Sequence, residues 1–455
     1  MKNNNKDIPI IKLFIVNEKC YFYDACTNQV LSISHDLYRE LNILLEIGVS
    51  RYLLDRKESC GYNDVKKLIN GEYINTKKIN SIEHKYIHSV EVLVSRYVSQ
   101  LQLQVTRNCN FDCRYCIYTR KSNIGRNHEC VNMPFTLAQK SVDYLFNHSQ
   151  DASEITIYFY GGEPFLNFEL IKSTVEYAEK KFIHKELRFI AITNGSIIND
   201  DIISFLVMHN ITLIISFDGE SKIQNLHRRF MIDKGDTYDH VYNNIVRIQN
   251  FNQNYFYTNV KFNAVILPDE NKENVLSFFS QTFNKDPDFI NLIPADTRGV
   301  DYIYSKINYN NIQKEDNTKI LSDYDIEKYN RVYQDKRRLT PKWVHNTNCV
   351  PGVQRLFVNV YGELYPCEKV SEISDCSIGN IFTEIDINKV KQIMNISDMT
   401  KKDCENCWAI RFCTMCICHC VDEVNCAIRP STKLENCKIE KKKALCFLKE
   451  FARQQ

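Results

Sequence analysis

The rhythm of apolar and polar positions divides this chain of 455 residues into four stretches. In residues 1–95, "KLFIVNEKCYFYDACTNQVLSIS" alternates through three short runs with Asn at a turn, which predicts a small antiparallel sheet. "HDLYRELNILLEIG" then places apolar residues at helical spacing and stops at a Gly. With further helices up to "EHKYIHSVEVLVSRY", this stretch predicts an α+β module. From residue 99 to 300 the repeat lengthens. "QLQLQVT", "EITIYFY", "LRFIAIT", "ITLIISF", "NVKFNAVIL" and "FINLI" are strand-like, and helical segments such as "TLAQKSVDYLFNHS" and "FELIKSTVEYAEKKF" lie between them. Six alternations of strand and helix, with largely apolar strands, predict a parallel α/β fold covered on both faces. The expected form is a partial, six-stranded α/β barrel with its chemistry at the C-terminal strand ends. Residues 301–342 are polar and rich in Asn and Tyr, predicting a connector with one helix; residues 343–455 form a cysteine-rich tail.

Composition narrows the class. The hydrophobic fraction of 44% is enough for two or three domains. Lys and Arg number 58 against 56 Asp and Glu, so a net charge of +2 gives no electrostatic case for a nucleic-acid partner. The basic "KKKALCFLKE" reads as the solvated face of a helix. No apolar run is long enough to span a membrane, and "MKNNNKDIPIIKL" lacks a signal-peptide core, so a soluble, cytoplasmic protein is expected. In that compartment thiols stay reduced, yet the chain has 19 cysteines, seven of them between Cys404 and Cys426. Short spacings of this kind favour metal ligation over cross-linking.

The first cluster, "CNFDCRYC", puts Cys109, Cys113 and Cys116 directly after the first barrel strand. Three thiolates on one loop suit three irons of a four-iron cluster and leave the fourth iron open, which makes a metal centre reactive. A zinc site with a remote fourth ligand is the alternative. The C-x3-C-x2-C spacing at this place resembles the radical S-adenosylmethionine (SAM) enzymes. That resemblance implies that SAM binds the open iron and is split reductively to a 5′-deoxyadenosyl radical, which takes a substrate hydrogen. Further strand ends resemble the same family. "YGGEP" places Gly161, Gly162 and Glu163 at the SAM amino group, with glycine needed for close backbone approach. "TNG" brings Asn194, and "SFDGESKIQNLHR" brings Ser216 and Arg228 as candidates for the ribose and carboxylate of SAM. Tyr115 fills the aromatic position near adenine. Gln224-Asn225 stands where relatives often have His-Asp.

In the tail, Cys349, Gly362 and Cys367 are spaced C-x12-G-x4-C, and Cys404, Cys407, Cys413 and Cys416 follow as C-x2-C-x5-C-x2-C, with Cys437 beyond. Five residues between C-x2-C pairs are too few for a zinc ribbon. The arrangement resembles the SPASM extension of radical SAM enzymes that modify peptides. It implies one auxiliary cluster on Cys404, Cys407, Cys413 and Cys437 and another on Cys349, Cys367 and Cys416. The fourth ligand of the latter is left among Cys376, Cys418, Cys420 or an open iron. Three [4Fe–4S] clusters result, one binding SAM and two auxiliary. Cys426 and Cys446 read as buried packing residues, and Cys20, Cys26, Cys60 and Cys130 as structural.

"KCYFYDACTNQVLSISHDLYRELNILLEIG" resembles the winged-helix-type recognition domain of maturases of ribosomally made peptides, which captures a leader by adding it to a sheet edge. Across the chain, the resemblance is to thioether-forming maturases of cysteine-rich peptides. It implies a precursor peptide with a leader and an electron donor of flavodoxin or ferredoxin type, with neither nucleic acid nor membrane as partner. An anaerobic sulfatase-type formylglycine maturase and a carbon–carbon cross-linking enzyme remain as alternatives.

Overall fold

The computed structural model describes residues 7–74, 79–116, 127–266, 271–292, 323–345, 349–422 and 424–454. Residues 293–322, which hold most of the expected connector and the end of the expected barrel, and residues 117–126 after the first cysteine cluster lie outside them.

The first strands, β1 (Ile11–Val16), β2 (Lys19–Asp24) and β3 (Gln29–Ile33), form an antiparallel sheet in that order. Asn17 and Glu18 both take positive φ, 46° and 64°, the geometry of a two-residue turn that matches strand twist. Helix α1 (His35–Ile47) starts where the Ser34 hydroxyl accepts from the Leu37 amide and stops at Gly48, whose φ is 89°. Leu37, Leu41 and Leu44 share one face and pack on Ile11, Leu13 and Phe22, joined by Tyr52 of α2 (Val49–Asp55) and Val65 of α3 (Tyr62–Asn70). Strand β4 (Ser81–His84) and helix α4 (Val90–Arg96) lead to the barrel.

Six parallel strands follow: β5 (Gln100–Thr106), β6 (Glu154–Gly161), β7 (Glu186–Thr193), β8 (Thr212–Ser216), β9 (Val260–Ile266) and β10 (Phe289–Leu292). Between them run α5 (Phe135–His148), α6 (Phe168–Lys181), α7 (Asp200–Met208), α8 (Ser221–His227), α9 (Tyr238–Phe251), α10 (Gln253–Asn259) and α11 (Lys272–Phe283). Leu101, Leu103, Val105, Ile155, Ile157 and Phe159 are buried in one core with Val142, Leu145 and Ile171 of the helices. This is the α/β fold the strand pattern predicts.

The tail departs from the pattern. After α12 (Asp323–Tyr333) and β11 (Lys342–His345), which pairs in parallel with β4, the barrel sheet itself continues. Strand β12 (Leu356–Val358) joins β5 in parallel, and β13 (Glu363–Tyr365), β14 (Gly379–Asn380) and β15 (Glu384–Ile385) extend it into ten strands. This explains the alternation in "QLQLQ". Strand alternation ordinarily marks one face in water, but here both faces are buried. Gln104 donates to Glu372 at 2.8 Å and accepts from the Val360 amide, while Gln102 accepts from the Glu368 amide. The glutamines are partners of the tail. Helices α13 (Ile387–Met394), α14 (Lys401–Glu405) and α15 (Pro430–Arg453) complete the chain. Among the described residues, no helix is long and apolar enough to cross a membrane.

The amino-terminal sheet leans on the tail. Tyr23 packs on Phe412 (ring centroids 5.6 Å apart) and Trp408, and buried Arg411 donates to the carbonyls of Ala25 and Cys26 beneath the Trp343 ring.

Candidate active site

The loop after β5 carries Cys109, Cys113 and Cys116, and the ends of β6, β7 and β8 surround it. Gly161 (φ 143°) and Gly162 lie against this loop, where an added Cβ would come within 2.2 Å of the Thr106 carbonyl oxygen and 2.1 Å of the Asn108 carbonyl oxygen. The amides of Gly162 and Glu163 donate to those same carbonyls at 2.9 and 2.8 Å. Glycine is therefore required by contact with the cysteine loop's own backbone, a different reason from ligand approach.

Glu163 is fully buried and ties two strand ends together. One oxygen accepts from the Thr193 hydroxyl (2.8 Å) and the Phe165 amide (3.0 Å); the other accepts from the Asn194 amide (2.7 Å). Burial outweighs these donors and pushes its pKa up to about 7. The folded chain then holds a proton that the unfolded chain has lost. Stability is expected to fall by about 3 kcal/mol as pH rises through this window, from the unfolded carboxylate value to about 7. Urea unfolding of the apo chain at about pH 5 and about pH 8 checks this, and the slope should flatten in Glu163→Gln.

Asn194 reaches the loop as well. Its amide nitrogen donates to the Asn110 side chain (2.9 Å) and faces the Cys109 sulfur at 4.0 Å, and its oxygen accepts from Ser196. Ser216 ends β8 opposite Asn263. Arg228, at the end of α8, is buried with its guanidinium on both oxygens of Asp218 (3.0 and 3.3 Å), and Nη1 lies 3.9 Å from the Cys113 sulfur. Asp218 is fully buried, also accepts from the Val265 amide, and takes the Tyr115 hydroxyl at 2.5 Å. The Tyr115 ring lies 5.3 Å from the guanidinium. Asp218 is the residue that sequence reasoning missed, although the S-x-D-G strand end contains it ten residues before Arg228. Gln224 accepts from the Asp218 amide, and Asn225 caps α9 by accepting from Thr237 and Tyr238. Their departure from His-Asp is thus absorbed by the loop's own framework.

Each of the three sulfurs faces a nitrogen: Cys109 the Phe111 amide (3.4 Å), Cys113 Arg228, and Cys116 His128 Nε2 (4.0 Å). Amide and guanidinium donors beside sulfur suit thiolates that ligate metal. Burial pushes the Cys109 thiol up to about 12 and Cys113 further, so a metal would have to displace the protons.

The tail gathers its thiols into two groups. Cys404, Cys407, Cys413 and Cys437 neighbour one another, with Lys433 among them. Cys418 lies beside Cys416 and near Cys349 and Cys367, whereas Cys420 faces Cys376, Cys418 and Cys437. Among the described residues, no three His, Cys, Asp or Glu side chains converge on a single ion.

A partial barrel with three thiols on the loop after its first strand is the framework of a SAM-dependent iron–sulfur enzyme. Residues 103–281 match the Radical SAM superfamily, so the barrel is a radical SAM domain, and the enzyme that carries it is similar to a radical SAM cyclopropyl synthase and to sulfatase-maturating enzymes. SAM and a [4Fe–4S] cluster are its cofactors. The chain is 26% identical to an uncharacterized protein of Methanocaldococcus jannaschii, over 69% of this chain and 96% of that one. It is 25% identical to the radical SAM cyclopropyl synthase TigE of Paramaledivibacter caminithermalis, over 55% of each chain. A cysteine-type anaerobic sulfatase-maturating enzyme of Clostridium perfringens is 25% identical over 70% of this chain and 87% of its own. In fold the chain is similar to native anSMEcpe with bound AdoMet, with a TM-score of 0.53, 19% identity and coverage of 79% of this chain and 100% of that one.

Proposed function

We propose that this enzyme forms thioether cross-links in a ribosomally made, cysteine-rich precursor peptide. The observation that carries the reading is the amino-terminal sheet, which packs by Tyr23 onto the cysteine-bearing tail and keeps β3 as an outer strand. An outer strand offers unpaired backbone groups to an added leader strand. Relatives named as a cyclopropyl synthase and as sulfatase-maturating enzymes support chemistry on small-peptide or protein side chains. The anSMEcpe fold is matched over its whole length by 79% of this chain, leaving the remainder of this chain without a counterpart there.

Cys109, Cys113 and Cys116 would hold the SAM-binding cluster, whose chemistry is the reductive cleavage of SAM to a hydrogen-abstracting radical. Asp218 holds Arg228 against Cys113 and fixes the Tyr115 ring, which stands ready to cover an adenine. Glu163, Asn194 and the Gly161-Gly162 turn brace the loop, and Ser216 presents a hydroxyl from the adjacent strand end. In the SPASM-type tail, Cys404, Cys407, Cys413 and Cys437 would hold one auxiliary cluster, and Cys349, Cys367 and Cys416 another, with Cys418 as the fourth ligand by its position. A flavodoxin- or ferredoxin-type donor would supply electrons.

Joining a cysteine sulfur to carbon removes one hydrogen from each. Co-expression with any short cysteine-rich peptide that reading frames beside the gene encode should give a product that has lost one hydrogen pair per link and has blocked thiols, read by mass spectrometry. A product with free thiols and carbon–carbon links, or formylglycine with its sulfur gone, would select an alternative reading.

A further inference from the structure

Lys433 lies in the first turn of α15 and is only 2% exposed. Its ammonium donates to the Thr400 hydroxyl and to the Cys404 sulfur, the latter at 3.2 Å. Among the described residues, no carboxylate pairs with it. A buried ammonium without an anion is costly, and buried charges are ordinarily paired or set against metal centres. The groups whose charge it meets are the sulfurs of Cys404, Cys437 and Cys413. Two more charged groups of α15 face the same thiols: Lys441 lies toward Cys407 and Cys437, and Glu440, which accepts from the Thr414 amide and hydroxyl, lies toward Cys413.

We propose that Lys433 is the fixed counter-charge of an iron–sulfur cluster on Cys404, Cys407, Cys413 and Cys437, and that it sets the reduction potential of that cluster. The proposal rests on the cluster assignment made above. Four thiolates and a cubane carry net negative charge, which grows by one on reduction. A cation and an N–H donor at a ligand sulfur stabilise the reduced form more than the oxidised form and so raise the potential. Lys433 is a positioning residue in this scheme. It touches a ligand and no substrate.

The test uses the full chain, reconstituted anaerobically with iron and sulfide, as wild type, Lys433→Arg, Lys433→Gln and Lys433→Met. Iron per chain is measured first, and the potential of the cluster is then followed by electron paramagnetic resonance during reductive titration. Loss of its signal in Cys407→Ala identifies the cluster. The Arg variant should keep the wild-type potential, and the Gln and Met variants should shift to more negative values with iron retained. Loss of this cluster's iron from Gln while Arg keeps it also supports the counter-charge role. Equal potentials in wild type, Arg and Gln overturn the proposal, as does equal loss of iron from Arg and Gln. If the Met variant fails to fold, the Arg and Gln pair decides. A wild-type chain in which Cys407→Ala removes no iron overturns the cluster assignment itself.

Discussion

Cys113→Ala should yield no 5′-deoxyadenosine from SAM under strong reductant, while the reconstituted wild type produces it with or without peptide. The reason lies in where Cys113 sits. It is the most buried of the three loop thiols, and its sulfur faces Arg228 at 3.9 Å. Replacing it removes one of the three thiolates on which the open-iron arrangement depends, and the other cysteine of the β5–α5 connection, Cys130, is exposed and lies outside the C-x3-C-x2-C spacing. The two tail groups keep all their thiols in this variant, so on the cluster assignment proposed above it should lose only about four irons per chain. Chromatographic assay of deoxyadenosine with iron analysis decides the matter. Sustained cleavage would mean that the catalytic cluster lies elsewhere.

Asp218→Ala should be the most destabilising single change at the site, by about 3–5 kcal/mol in urea unfolding, because it strands the buried Arg228 guanidinium. It also frees the Tyr115 hydroxyl and leaves the Val265 amide without its acceptor. SAM affinity by calorimetry should weaken at least about tenfold, as both side chains that Asp218 fixes lose their positions. The double variant Asp218→Ala/Arg228→Met should recover much of the stability and none of the affinity, since replacing both members of a buried pair by apolar groups removes the stranded charge. An Asp218→Ala variant as stable as wild type would show that Arg228 leaves its buried position without cost.

The barrel was legible because its strands are apolar runs of four to eight residues, bounded by helices with clear apolar stripes, and burial on both faces leaves few other readings. The cysteine loop was legible by spacing. What stayed hidden is long-range. Strands β12 to β15 have two or three residues each, too short to show a period, and β12 depends on β5, which lies about 250 residues earlier in sequence. The partners of Glu163 and Arg228 were hidden for the same reason: Thr193, Asn194 and Asp218 lie on other strand ends, and no local pattern announces that a motif's acid is taken by its neighbours. In sequence Lys433 is one of several lysines on α15, and only its burial distinguishes it.

The pairing of β12 on β5 has a mechanical consequence. A single hydrogen-bonded ladder runs from the strand that launches the first cysteine loop into the segment between Cys349 and Cys367. Shifting the first cysteine loop relative to the Cys349–Cys367 segment would break backbone bonds in the centre of a sheet, so the two sets of thiols stand at a fixed gauge. On the thioether chemistry proposed above, bonds at different cysteines would then come from travel of the substrate past an immobile apparatus.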